Sequence, residues 1–401
     1  MPHTVKGLAT SRPAVCQAVQ QRTVDVGGIP TETYCVSASQ GPAALQVLVV
    51  PGNPGSARYF IPFLQSLDKA LGGRADLCAI THAGHQGPGG IPHCGKLFSL
   101  AEQSEHKAAF LRQHCLLPGR PPVVVLAHSI GSHMAVAAVA QVEEELRVAA
   151  AGGQRYRCGY IGTGGQVPTQ RALRAISSRY NLVALVMTLI RNLLPAWLLT
   201  WIIRGTSNGK MGLHGAATTV QLLHRPALRN NFYLATHEFR DLSAKTDHSL
   251  LASFGSRLAI MGAPKDEWMS RAQYDLLVQK LPAQRSDWAT ASCQKRVLGG
   301  VARLPQWHML ARKARPSKSA SAMSRPRISW HPELSHAFCA SPEQSVRMAG
   351  LVAELLADIL PALSPTDARK QSSAGSVVLT VLAQPRGTSD VVLPPAVSPR
   401  L

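Results

Sequence analysis

Three kinds of side chain in this sequence could together cleave an ester. Ser129 lies in VVVLAHSIGSHMAVAAVA (123–140), where an apolar run ends in Ala127-His128-Ser129-Ile130-Gly131 and an alanine-rich stretch of helical period follows. A serine on so tight a corner needs small residues two before and two after it, because larger ones would collide with the adjoining strand and helix. The helix that begins near Ile130 aims its unpaired N–H groups at the serine and favours negative charge developing there. A hydroxyl of ordinary pKa is a weak nucleophile, so a base must take its proton and an acid must orient that base. The acid can come from APKDEW (263–268), which holds Asp266 and Glu267, and the base from HPELSHAF (331–338), which holds His331 and His336. Simple capping of the helix by Ser129 is the alternative use of that residue.

A second turn bears on the same chemistry. Pro51-Gly52-Asn53-Pro54-Gly55 follows the apolar run LQVLVV and fixes a loop whose backbone can come close to a ligand. Where a serine elbow is used, such a loop gives one N–H of the oxyanion hole and the residue after the nucleophile gives the other. Those donors would be Asn53 and Ile130, although an ordinary tight turn would use the same residues. His82 and His85 in ITHAGH (80–85) could line the mouth of a site or serve as structural histidines, and Glu105-His106-Lys107 has no assigned role. The histidines show no HExxH or similar ligand spacing, so neither a metal nor a cofactor is expected.

These residues need elements to hold them. LQVLVV (45–50), DLCAI (76–80), VVVL (123–126), RCGYIG (157–162), LAIMG (258–262) and RISW (327–330) are short apolar runs bounded by Gly or Pro. Stretches of helical period such as EHKAAFLRQH and MAVAAVAQVEEEL lie between most of them. Continuous apolar strands alternating with helices predict an α/β fold, a mostly parallel sheet covered on both faces. Sites in such sheets lie beyond the carboxyl ends of the strands, which is where the serine, the acid, the histidines and the glycine loop all fall.

The chain has 401 residues, enough for one large α/β domain with insertions. Its eight cysteines are scattered without a CxxC pair, which suits reduced thiols in a cytosol-facing protein. Lys6, Arg12 and Arg22 precede the first acid, Asp25, but no amphipathic targeting helix emerges. The net charge of +20 is concentrated: residues 283–330 hold ten Lys/Arg against Asp287. That stretch is rich in Ser and Pro and lacks a periodic apolar face. It reads as an exposed, disordered insertion; without aromatic interleaving, no nucleic-acid partner is expected. From Ser364 on, Pro, Ser and Gly dominate around a short VVLTVL run, a disordered tail by composition.

Five co-linear segments carry a more specific resemblance. PGNPG followed by Tyr59 and Pro62-Phe63, then ITHAGH, EHKAAFL (105–111), HSIGS (128–132) and SHAF (335–338), together resemble the lipid-droplet-associated hydrolase family, over about residues 20–282 and 326–362. VDVGGIPTETY (24–34) is similar to that family's first hairpin. The resemblance implies an α/β-hydrolase fold, with Ser129 as nucleophile, His336 as general base and Asp266 as orienting acid; the chain order Ser, Asp, His agrees with that fold. Gly262 and Trp268 bracket Asp266 with one extra residue in the loop, so Glu267 is a rival acid, and His331 is a rival base outside the SHAF context. Two departures stand out: Ala127 replaces the family's usual glycine, and the basic insertion lengthens a connection that is short in the family.

The segment NLVALVMTLIRNLLPAWLLTWII (181–203) is long enough for a bilayer, but Arg191, Asn192 and Pro195 interrupt its centre. Two uses remain open, a hydrophobic cap over the site or a hairpin dipping into one lipid leaflet, with Trp197 and Trp201 at the interface and basic residues at its flanks. The family resemblance favours lipid contact. The expected organisation is therefore a flexible 1–19, a core over 20–164, a cap or hairpin over 165–225, core again over 226–282, the basic insertion 283–325, the last strand and helix over 326–362, and the tail 363–401. The resemblance implies a serine hydrolase of sterol-ester or acylglycerol type at the lipid-droplet surface, with endoplasmic reticulum and cytosol as further locations. Its partners would be a lipid ester and the droplet or endoplasmic-reticulum membrane, with no obligate protein partner. The alternatives are a droplet interaction protein with a vestigial site and a soluble carboxylesterase.

Overall fold

The computed structural model describes residues 17–88, 95–149, 157–161, 177–207, 210–241, 248–263, 271–281, 284–285, 326–357 and 377–382. Strands β1 (Gln20–Val26) and β2 (Ile29–Val36) form a hairpin through Gly27-Gly28, both with positive φ, and β3 (Leu45–Val50) leads to α1 (Ile61–Ala70). After β4 (Ala75–Ile80), α2 (Leu100–Phe110) begins with a reciprocal cap: Ser99 Oγ accepts from the Glu102 N–H, and the Glu102 carboxylate accepts from the Ser99 N–H. β5 (Val123–His128) runs directly into α3 (Ile130–Ala149), followed by β6 (Arg157–Ile161).

Four helices come next: α4 (Tyr180–Leu193), α5 (Ala196–Thr206), α6 (Leu213–Leu222) and α7 (Arg225–Asp241). Leu194 is extended (φ −106°, ψ 139°) ahead of Pro195, as the residue before a proline prefers, and this breaks α4 from α5. The chain then returns through α8 (His248–Ser253), β7 (Leu258–Gly262), α9 (Arg271–Lys280), β8 (Gln284–Arg285), β9 (Arg327–Trp330), α10 (Pro342–Ala357) and β10 (Val377–Leu382).

The sheet runs β1-β2-β4-β3-β5-β10-β6-β7-β9-β8, with β5 and β6 also paired. Among the described residues only β1–β2 and β2–β4 are antiparallel. This is the expected α/β-hydrolase arrangement. Its two faces follow from the period of two along a strand. Val47 and Val49 of β3 pack with Phe63, Leu64 and Leu67 of α1 and Met348, Val352 and Leu356 of α10. Leu48 and Val50 pack with Phe110 of α2, Ala135 and Val139 of α3, and Tyr274 and Leu277 of α9 on the other face. Every residue of β3 and β5 is buried, so two-sided burial and not alternation sets their sequence.

Within the C-terminal tail, expected as disordered, VVLTVL forms β10, parallel to β5 and β6, built from the longest β-branched apolar run the tail contains. Residues 1–16 of the expected flexible 1–19, and residues 283 and 286–325 of the expected insertion 283–325, lie outside the described residues.

Candidate active site

β5 and α3 meet at Ser129, whose φ is +56°, the one positive value at a non-glycine among the described residues. Left-handed backbone costs a residue with a β-carbon about 1–2 kcal/mol and persists only where its surroundings impose it. The imposing contacts are visible. A β-carbon on Gly131 would stand 1.9 Å from Pro51 O and 2.8 Å from Val50 O, so the first turn of α3 is pressed against the end of β3. One on Gly52 would lie 2.5 Å from Ser129 Cβ. The glycine loop and the serine turn therefore touch through backbone that only glycine permits. Ala127, registered opposite Val50, is buried without displacing either strand.

The loop brings Asn53 to the serine turn, and its side-chain Nδ2 donates to Asn231 O of α7 at 2.9 Å. Ile130 opens α3 and is fully buried; its N–H belongs to the first turn, where no intrahelical acceptor exists. His336 arrives from the loop between β9 and α10. The His128 ring donates through Nε2 to His336 O at 2.8 Å, and the two rings lie 4.8 Å apart. Because His128 precedes Ser129, this bond ties the His336 loop to the serine turn. Phe60, Phe63 and Phe338 pack edge-on around one another, with Phe60 and Phe338 also against His128. Burial, and secondarily the charge of His336, hold His128 well below the usual histidine range, so it is neutral.

His331 is used differently. It is fully buried, its Nε2 is 2.8 Å from Ser329 Oγ, its Nδ1 is 3.5 Å from Glu333, and its N–H donates to Gly262 O. It secures the end of β9 to the end of β7. Asp266 and Glu267 lie outside the described residues; β7, which precedes them, ends where Gly262 meets the Trp330 ring of β9.

Two residues near the site were assigned no role from the sequence. His128 is one. Glu238 is the other: on α7, Asn231 receives the bond from Asn53 and Leu234 packs on Ile130 and Met134. Glu238 follows Leu234 by four residues, on the same helix face, and is buried. Burial pushes its carboxyl up to about 7, and the charge of His336 pulls the other way. Nothing in NNFYLATHEFRD announces that this helix packs on the serine turn.

ITHAGH supports the glycine loop from behind. His82 N–H donates to Gly55 O at 2.9 Å, His85 Nδ1 donates to Pro54 O at 2.8 Å, and Ala57 N–H donates to Thr81 Oγ1. Both rings are fully buried, so neither lines a mouth, and among the described residues the His82 ring nitrogens have no hydrogen-bond partner. Beneath them Lys107 Nζ is 2.8 Å from His106 Nδ1, and His106 Nε2 is 2.8 Å from Thr31 Oγ1. Burial holds Lys107 well below the usual lysine range.

This cluster sets an acid limit to stability. Burial, partly offset by the bond to Pro54, takes His85 down to about 4, and burial lowers His82 as well. A histidine depressed in the fold gives stability that is complete above its unfolded pKa of about 6.5 and lost as pH falls toward 4, about 3 kcal/mol for His85. Glu238, raised in the fold, acts oppositely over the same range. The slope of melting temperature from pH 7.5 to 4.5 should therefore lose part of its fall toward acid in His85→Gln relative to the wild type; an unchanged slope in that variant would remove His85 from the account.

α4 and α5 are apolar on two sides. Ala184 and Leu199 pack with Val220, Leu223 and Leu228 of α6, α7 and their connection. Leu182, Leu185, Val186, Leu189, Ile190 and Leu193 face outward on α4, and Trp197, Trp201 and Ile202 on α5; with Leu213 they make ten of the thirteen exposed large apolar side chains among the described residues. Trp197 is 71% and Leu193 80% exposed. No helix among the described residues is long and apolar enough to cross a membrane. An open groove of about 650 Å³ lies at the foot of α5, lined by Trp201, Arg204, Met211 and Pro342 among others, and includes no residue of the serine turn.

Comparison with known proteins gives the following. A family model described as lipid-droplet associated hydrolase matches residues 43–296. The human lipid droplet-associated hydrolase is 30% identical over 112 residues, 25% of this chain and 34% of that protein, so the chain spans about a third of its length. The Dictyostelium discoideum lipid droplet-associated hydrolase is 23% identical over 278 residues, 63% of this chain and 82% of that protein. Among solved structures, a loop variant of the haloalkane dehalogenase DbeA from Bradyrhizobium elkanii superposes with TM-score 0.49 at 12% identity, over 87% of this chain and 100% of that one. The epoxide hydrolase VrEH1 from Vigna radiata gives 0.44 at 11% identity, over 85% and 99%.

Proposed function

The chain belongs to the lipid-droplet associated hydrolase family, and from that premise we propose that it hydrolyses esters of apolar lipids at a lipid surface, with Ser129 as nucleophile, His336 as general base and Asp266 as orienting acid. The observation that carries this reading is Ser129 itself: a strained residue at the corner of a strand and a helix, with the Gly52 backbone against it and Gly131 of its own turn against Pro51. Strain of that kind is retained where a side chain must project into a site.

The steps follow from the chemistry of the groups. His336 takes the Ser129 proton as Oγ attacks the ester carbonyl, and the N–H groups of Asn53 and Ile130 donate to the oxyanion. The protonated His336 then returns its proton to the departing alcohol. A water, deprotonated by the same histidine, releases the fatty acid from the acyl-serine. No cofactor enters. Sterol esters and acylglycerols are the substrate class that the outward face of α4 and α5 suits, because both dissolve in the phase that face would contact. Arg179, Arg204 and Lys210 flank it and suit anionic head groups.

The test is labelling of the purified full chain by a fluorophosphonate probe, with the adduct mapped by peptide mass spectrometry. The adduct is expected on Ser129. No adduct, together with no turnover on a panel of short- and long-chain esters, would leave an interaction protein with a vestigial site.

The acid is tested separately. Asp266→Asn is expected to lower kcat/KM on a soluble ester by about four orders of magnitude, as for triad acids generally. Glu238→Gln should cost about tenfold and shift the limb of the pH–rate profile near neutrality, since it removes a carboxyl that titrates at about 7 beside His336. If the two magnitudes are reversed, Glu238 is the orienting acid.

A further inference from the structure

Cys35 of β2 and Cys78 of β4 stand directly opposite each other across the antiparallel pair. Thr81 N–H donates to Glu32 O at 3.0 Å, which makes Glu32 and Thr81 a hydrogen-bonded pair in the same register. Hydrogen-bonded and non-hydrogen-bonded pairs alternate along an antiparallel ladder. Thr33–Ile80 is therefore non-hydrogen-bonded, Tyr34–Ala79 hydrogen-bonded, and Cys35–Cys78 non-hydrogen-bonded. At such a pair the backbones come closest, about 4.5 Å between Cα atoms, within the span a disulfide bridges.

The side chains are turned to use it. The two Sγ atoms are 2.6 Å apart, about half an ångström more than a disulfide bond. Both residues are half-buried, while Cys115 and Cys339 are buried. The hydrogen bond between the two thiols holds Cys35 below the usual thiol range against the effect of burial, while the same bond and burial raise Cys78. One sulfur ready to attack and a neighbour ready to follow is the arrangement that thiol–disulfide exchange requires.

We propose that Cys35 and Cys78 form a modification site, a cross-strand dithiol that a low-molecular-weight disulfide such as glutathione disulfide oxidises to an intramolecular disulfide. The Cys35 thiolate attacks one sulfur of the oxidant and expels a thiolate, which takes up a proton. Cys78, losing its proton, then attacks Cys35 Sγ in the mixed disulfide and expels the second thiolate. Two protein thiols and one small disulfide become one protein disulfide and two small thiols, with two electrons passed to the oxidant. The bond would join the β1–β2 hairpin to β4, three residues before Thr81 and four before His82, whose backbone and side chain hold the loop from Gly55 to Ala57.

This proposal stands apart from the role of Ser129, and its test measures no turnover. The reduced full-length protein is equilibrated in glutathione mixtures spanning cytosolic to endoplasmic-reticulum ratios, free thiols are blocked with iodoacetamide, and peptides are mapped by mass spectrometry. The expected product is a peptide pair linked through Cys35 and Cys78, formed at the oxidising end, reversed by dithiothreitol and absent from Cys35→Ser. Carbamidomethyl groups on both cysteines at every ratio would overturn it, as would glutathione on either one without the link, or a link from Cys78 to Cys115. If Cys35→Ser fails to fold, mapping of the wild-type chain decides alone.

Discussion

Ser129→Ala should lower ester turnover by three or more orders of magnitude and abolish fluorophosphonate labelling, with melting temperature little changed. The size follows from the role: without the nucleophile only the oxyanion donors and binding remain, and triad enzymes lose about 10⁴- to 10⁶-fold in that state. The small effect on stability follows from backbone geometry, because alanine and serine pay alike for φ of +56°. Ser129→Gly sharpens the test. Glycine relieves about 1 kcal/mol of strain and gives part of it back as freedom of the unfolded chain. Its melting temperature should equal or exceed that of Ser129→Ala, while both are inactive. A Ser129→Gly protein that melts well below Ser129→Ala would show that the turn is not strained.

The second large effect is expected on lipid binding. Leu189 is 52% and Trp197 71% exposed, on adjoining outward faces of α4 and α5. Burying one such side chain from water is worth about 1.5–3 kcal/mol in full, and an aspartate in the same place adds an opposing cost of similar size. Leu189→Asp with Trp197→Asp should therefore reduce binding to phospholipid-coated triacylglycerol emulsions at least a hundredfold and release a fluorescent full-length fusion from droplets in cells. Because neither side chain is part of the packed core, melting temperature and turnover of a water-soluble ester should hold. Leu199 would be a poor choice: it is buried against α6 and α7, and aspartate there would unfold the hairpin. Unchanged emulsion binding in the outward double variant would mean that the face covers something other than lipid.

The parts of this molecule that were legible in its sequence are those whose signal is local. LQVLVV, VVVLAH and LAIMG announced strands because each is buried on both faces and so reads as a nearly continuous apolar run. Ala127 to Gly131 announced a tight corner because Gly131 cannot hold a β-carbon beneath Pro51. What could not be read depends on how distant segments meet. Cys35 and Cys78 are far apart in the chain and share a pair only through the register of β2 with β4. Glu238 comes near the serine turn because Leu234 of α7 packs on Ile130 and Met134 of α3, which no periodicity in α7 encodes. The segment 181–203 is apolar on both sides, so its composition alone could not say which leucines pack inward. ITHAGH was legible as a motif but not as a buttress, since its task is to hold backbone atoms of another loop.

The outward apolar face and the wall of the serine site belong to one run of helices: α4 and α5 rest on α6 and α7, and α7 touches both Asn53 and Ile130. An enzyme docked by that face meets its substrate in two dimensions. Its rate will then follow the mole fraction of ester in the monolayer and not the amount of ester per volume. Adding inert phospholipid at constant total ester should slow hydrolysis, and adding more emulsion of fixed composition should saturate it.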